Sequence, residues 1–255
     1  MRLLRYQAEN QPPQHGWLLD DKVGPITGDM YGAFQREEAS IPLQDVHLLP
    51  PVLPGKVICV ARNYAAHAEE HEADVPEVPA LFFKPPSAVI GPGQEIIIPP
   101  QASRVEHEAE LVAVIGKTGR WIPAEDAREH ILGYTIGNDV TERAFQRQDL
   151  LWTRGKGFDT FAPLGPWIET EFQPADAMIT CYVNGELRQM ASTRDMVFNV
   201  EQLVAFASSF MTLNPGDIIL TGTPEGVSPL VNGDQIEISI EGIGTLENSV
   251  ISADR

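Results

Sequence analysis

Val105-Glu106-His107-Glu108-Ala109-Glu110-Leu111-Val112-Ala113-Val114-Ile115-Gly116 is the stretch on which the fold turns. Its second half is apolar and rich in β-branched residues, and a glycine closes it, which predicts a strand. In a strand the side-chain period of two places Glu108 and Glu110 on one face, with Ala109, Leu111, Ala113 and Ile115 on the other. Two carboxylates then stand side by side at the mouth of an apolar strand. Like charges this close raise one another's pKa unless a cation compensates, so a divalent metal is their natural resident. The bland reading of a lone Glu-x-Glu is a solvated strand end.

A second strand shifts that balance. Gly133-Tyr134-Thr135-Ile136-Gly137-Asn138-Asp139-Val140-Thr141 runs from apolar residues to an acid, Asp139. Three carboxylates form an oxygen-rich set suited to Mg²⁺ or Mn²⁺, with Ca²⁺ as a further candidate, and leave open positions for water or substrate. Spacing does not itself bring Asp139 to the glutamates.

Working outward, further short strand-like runs cover Lys56 to Ala61, Leu81 to Phe83, Glu95 to Ile98, Ile179 to Val183, Asp217 to Thr221, Gln235 to Ile240 and Thr245 to Ile251. Asn184-Gly185 supplies the positive φ angles of a tight hairpin turn. Helices are expected at three places: Asn63 to about Glu72, Ala124 to His130, and Val200 to Met211, the last with Asn199 and Gln202 as a capping box. The Pro-rich junction Leu49-Pro50-Pro51-Val52-Leu53-Pro54-Gly55 divides a small N-terminal domain, residues 1–54 with a Trp17–Gly24 hairpin, from a catalytic domain over 55–255. The fold class is β-rich α+β.

The chain's 255 residues are enough for a substantial core, and 43% hydrophobic with 21% charged residues is an ordinary globular composition. A net charge of -18 repels phosphate backbones and anionic lipid surfaces, which excludes nucleic acid and membrane as partners. An anionic substrate therefore needs local positive charge. Cys59 and Cys181 match neither a disulfide framework nor a CxxC pattern. With no signal peptide and no apolar run of about 18 residues, a cytoplasmic location is expected by default.

On the first helix His67 and Glu70, three apart, share a face on which Glu70 orients His67 or helps it activate a water. His71 extends the pair to His-x-x-Glu-His, the pattern of inverted zinc peptidases, but the segment is polar and no third ligand is evident downstream. Arg62, Lys84, Arg143 and Lys156 supply positive charge within or beside these segments. Lys156 lies between glycines, where backbone approaches a ligand closely. Thr221-Gly222-Thr223-Pro224 offers hydroxyl and N–H donors to a carboxylate but lacks the ending of a nucleotide-binding loop.

Together these segments resemble the fumarylacetoacetate hydrolase family over roughly residues 55–251. The resemblance rests on six ordered pieces: Arg62-Asn63-Tyr64 with His67 and Glu70, Leu81-Phe82-Phe83-Lys84-Pro85, Glu108-Ala109-Glu110-Leu111, Asn138-Asp139-Val140-Thr141, Trp152-Thr153 leading to Lys156, and Leu220-Thr221-Gly222-Thr223-Pro224. It implies a mixed β-roll, usually a homodimer, with a metal on Glu108, Glu110 and Asp139. It also implies a water-activating dyad at His67 and Glu70 and a catalytic Lys156. Arg62, Tyr64, Lys84, Arg143, Gln146 and Thr223 resemble the family's substrate-binding positions. Two departures stand out: Ala144 follows Arg143 where family members often carry an acid, and the segment from Gln146 to Trp152 is short.

The function expected from these features is cleavage of a carbon-carbon bond in an acylpyruvate-like 2-oxo acid by a metal-dependent hydrolase, through a metal-stabilised enolate. An oxaloacetate-type decarboxylase or tautomerase, or a 2-hydroxyhepta-2,4-diene-1,7-dioate-type isomerase, would begin at the same enolate. A non-catalytic metal-dependent binding protein would keep the acids but would not need His67, Glu70 and Lys156 together.

Overall fold

The computed structural model describes residues 1–70 and 74–253. His71 and the expected helix end near Glu72 lie outside the described residues. With 43% of residues in strands and 17% in helices, the chain is β-rich α+β.

The larger sheet runs, edge to edge, through Phe34–Arg36, Lys22–Gly28, Gln14–Leu19, Arg2–Ala8, Ala162–Glu169, Ile131–Asn138, Ala109–Ile115, Ile218–Leu220, Val57–Ala61 and Ala80–Lys84. Most neighbours are antiparallel, but Ile218–Leu220 lies parallel to Val57–Ala61, so the sheet is mixed. A five-stranded sheet of Glu95–Ile98, Gly244–Ser252, Gln235–Ile240, Met178–Val183 and Glu186–Ser192 packs against it. The first fifty residues join the large sheet directly, since Arg2 pairs with Glu169 and Leu3 with Ile168.

Strand Ala109–Ile115 is buried along its whole length. Leu111, Ala113 and Ile115 pack in one cluster with Ile179, Ile238 and Ile240 of the smaller sheet. Val112 and Val114 pack on the other side with Leu3, Val57, Leu164 and Leu220. Its apolar run follows from lying between two layers, where no position can be polar without a partner.

The turn at Asn184 and Gly185 has φ of 53° and 76°, and Asn199 with Gln202 forms the capping box on helix Val200–Phe210. The expected helix Ala124–His130 is a 3₁₀ helix instead. Two short helices, Arg143–Gln148 and Thr153–Lys156, were not expected. The first starts where the Glu142 side chain accepts the Phe145 N–H at 2.6 Å, an acidic cap at a helix N-terminus.

Candidate active site

Strand register brings the acids together. Ala109 pairs with Asn138 in the antiparallel ladder, so Glu108 and Asp139, each one residue beyond that pair, face each other. The Asp139 N–H donates to the Glu108 carbonyl at 2.9 Å. Residues directly opposite project to the same side, and Glu110 shares that side with Glu108. Carboxylate oxygens of Glu108, Glu110 and Asp139, all buried, lie within 4.8 Å of one another.

Buried cations surround them. Lys156 Nζ donates to Glu108 Oε2 at 2.8 Å and Asp139 Oδ2 at 2.7 Å. Lys84 is ion-paired with Asp139 and donates to the Val140 carbonyl at 2.9 Å. Arg143 Nη2 lies 2.7 Å from Glu108 Oε1, and its Nε donates to Glu106 Oε2 at 2.6 Å. Glu106 in turn accepts from the half-exposed Arg104 at 2.6 Å, which links the buried cluster to the surface.

These cations are shared unevenly. Burial pushes the Glu108 carboxyl up, but Lys156 and Arg143 more than offset it and hold the group well below the usual carboxylate range. Glu110 goes the other way: burial first, then the neighbouring Asp139 and Glu108, raise it well above that range. Its protein partner is the Gly222 N–H at 2.7 Å, a dipole rather than a countercharge. One buried carboxyl in an all-oxygen triad thus keeps too little positive charge, and a hard divalent cation there would supply it. The donor set fits Mg²⁺ or Mn²⁺.

A cavity of about 520 Å³ opens beside the cluster, walled by His67, Glu108, Arg143, Gln146, Lys156 and Thr223 among others. His67 Nδ1 lies 3.2 Å from Glu70 Oε2, and Glu70 Oε1 accepts the Gly226 N–H at 3.1 Å, so the dyad is anchored to the loop after Thr223. Burial pushes the His67 imidazole below its usual pKa, despite the raising effect of Glu108 and Glu70. Lys156 also stacks over Phe82, 4.9 Å from the ring centre, and Phe82 packs edge-on against Trp152.

Of the residues expected to contact substrate, Arg62, Arg143, Gln146 and Thr223 stand on the cavity wall. Lys84 and Tyr64 do not. Lys84 is wholly buried against Asp139, and Tyr64 is buried with no hydrogen bond to its hydroxyl. Phe82 on the strand of Lys84, and Arg62 and His67 on either side of Tyr64, do line the cavity, so the inward placement belongs to these two side chains and not to their segments. Sequence reasoning missed Phe82, Arg147 and Leu150 as lining residues; the 94% exposure of Leu150 is visible only in the structure, and the available signal was their place within or beside the quoted motifs. It also missed Glu106, which stands in the quoted stretch two residues before Glu108 and extends the same spacing.

A model described as fumarylacetoacetate (FAA) hydrolase C-terminal matches residues 56–251, and one described as Rv2993c-like, N-terminal, matches residues 1–51. Protein Rv2993c of Mycobacterium tuberculosis is 50% identical over 83% of this chain and 81% of its own length. The mitochondrial oxaloacetate tautomerase FAHD2B of Bos taurus is 45% identical over 83% of this chain and 71% of its own. The crystal structure of 5-carboxymethyl-2-hydroxymuconate delta-isomerase from Mycobacterium smegmatis superposes with a TM-score of 0.92 at 45% identity, covering 99% of this chain and 100% of that one. Residues 56–251 make up most of the chain, and on this match the chain belongs to the fumarylacetoacetate hydrolase family.

Proposed function

We propose that the chain is a divalent-metal-dependent enzyme that moves a proton at the carbon beside the carbonyl of a small anionic 2-oxo acid, as a tautomerase or isomerase. The observation that carries this reading is one cavity lined by both His67, which Glu70 holds at Nδ1, and Glu108, the edge of the buried triad. A divalent cation on Glu108, Glu110 and Asp139 would polarise the 2-oxo carbonyl and stabilise negative charge developing there.

The chain's own residues do the rest. Glu70 accepts from Nδ1 of His67, which keeps the basic lone pair on Nε2, and burial keeps the ring neutral, the form a base needs. Arg143 and Lys156 line the cavity and bring positive charge to an anionic substrate in a chain of net charge -18. Phe82 and Trp152 shield Lys156 from water on its apolar side, which strengthens its field. The tautomerase and isomerase named above lend support, because both interconvert isomers by shifting a proton.

Hydrolysis of an acylpyruvate is the second reading, favoured by cavity size. About 520 Å³ exceeds what a four-carbon acid fills and leaves space for a water beside His67. A panel of oxaloacetate, 5-carboxymethyl-2-hydroxymuconate and acylpyruvates, assayed with Mg²⁺ and Mn²⁺, separates the two. Loss of enol absorbance without new acid release supports proton transfer; stoichiometric release of a carboxylic acid supports hydrolysis. No turnover of any member would leave the non-catalytic binding reading.

A further inference from the structure

Behind the cavity wall, Gln189 on strand Glu186–Ser192 is buried and commits every hydrogen-bonding position of its amide. Its Oε1 accepts the Ala109 N–H at 3.0 Å and lies 2.9 Å from His107 Nδ1. Its Nε2 donates to Thr223 Oγ1 and to the Pro224 carbonyl, both at 2.8 Å. A backbone N–H only donates and a carbonyl only accepts, so Ala109 and Pro224 together fix which way the amide faces. His107 must then carry its proton on Nδ1 and accept at Nε2 from Ser228 Oγ, 2.8 Å away.

Thr223 closes the circuit. Its hydroxyl donates to the Ala109 carbonyl at 2.9 Å, so both polar groups of the residue between Glu108 and Glu110 are held, one by Gln189 and the other by Thr223. Ala109 itself is wholly buried, and no solvent can substitute for either bond. With both polar groups of Ala109 held, the backbone of the three-residue stretch that carries Glu108 and Glu110 is fixed in one conformation.

We propose that Gln189 is a positioning residue that fixes the separation of Glu108 and Glu110 and, through its other end, seats Thr223 on the cavity wall. This rests on the metal-site reading above. The two ends act differently, because Oε1 binds the Ala109 N–H directly whereas Nε2 reaches Ala109 only through the Thr223 hydroxyl. Side chains that orient ligands typically contribute about 10- to 100-fold in metal affinity.

The test measures Mn²⁺ binding to metal-stripped protein by electron paramagnetic resonance, then oxalate binding to the Mn²⁺-loaded protein by calorimetry. Asn248 provides the control for a merely structural buried amide: its Nδ2 donates to the Gly91 and Gln94 carbonyls at 3.0 and 2.8 Å, away from the cavity. Gln189→Met, which removes both halves, is expected to raise the Mn²⁺ dissociation constant about 10- to 100-fold, while Asn248→Leu leaves it within about two-fold. Gln189→Glu keeps the two accepting roles and loses the two donating ones, so it serves if the methionine variant does not fold. It is expected to retain Mn²⁺ but to weaken oxalate binding about 10-fold. Wild-type affinities in Gln189→Met, or wild-type oxalate binding in Gln189→Glu, overturn the assignment. Absence of Mn²⁺ binding in the wild type overturns it together with the metal-site reading, whereas wild-type binding with indifferent variants overturns Gln189 alone.

Discussion

His67 is the side chain on which the proposed proton transfer depends. His67→Ala is expected to lower kcat by about 10² to 10⁴-fold, the range of a lost general base, while Mn²⁺ binding persists. Loss of Mn²⁺ affinity in that variant would make His67 a ligand instead. Because burial lowers the His67 pKa below its usual 6.5, the neutral base survives to lower pH than a free imidazole. As pH falls through that lowered pKa the base becomes protonated, so kcat should be flat through neutral pH and decline only below about 6.5. An acid limb centred above 6.5 would contradict the burial argument. Lys84 makes a different demand. It is buried on Asp139, and removing one member of such a pair leaves an uncompensated charge, so Lys84→Met should destabilise the metal-free protein by about 3–5 kcal/mol in a denaturant titration.

At the scale of elements, the turn after strand Ile218–Leu220 is the most constrained. Gly222 has φ of 95°, its N–H holds Glu110, and an added Cβ would sit 2.7 Å from Asn63 Cβ. Gly222→Ala should therefore both lower the melting temperature and weaken Mn²⁺ binding. A variant that loses only stability would show that Glu110 does not depend on this turn. Asn199→Ala, by contrast, removes a solvent-side cap on helix Val200–Phe210 and should cost about 1 kcal/mol with kcat unchanged. The same contrast explains what sequence revealed about elements. Strands Glu95–Ile98 and Gln235–Ile240 and the capping box at Asn199 were legible because pattern and punctuation are local signals. Helices Arg143–Gln148 and Thr153–Lys156 were not, since four to six residues are too few for a helical period and ion pairs with distant acids hold them in place.

Over the whole molecule, two chain segments thirty residues apart are made neighbours by one antiparallel register, and this is what assembles the site. The acids themselves were readable, as a Glu-x-Glu pair and a strand ending in Asp139, and so was the cationic company of Arg143 and Lys156. Their convergence was not, because register is set by packing between layers rather than by any short motif. Nor was the inward placement of Lys84 and Tyr64, since Phe82, Arg62 and His67 in the same segments do reach the cavity. The central claim is that Glu108, Glu110 and Asp139 together hold one divalent cation. Calorimetric titration of Mn²⁺ into the metal-stripped chain tests it most directly: the account predicts one saturable site per chain, abolished in Glu110→Gln, whereas no saturable binding, or binding untouched by that substitution, would contradict it.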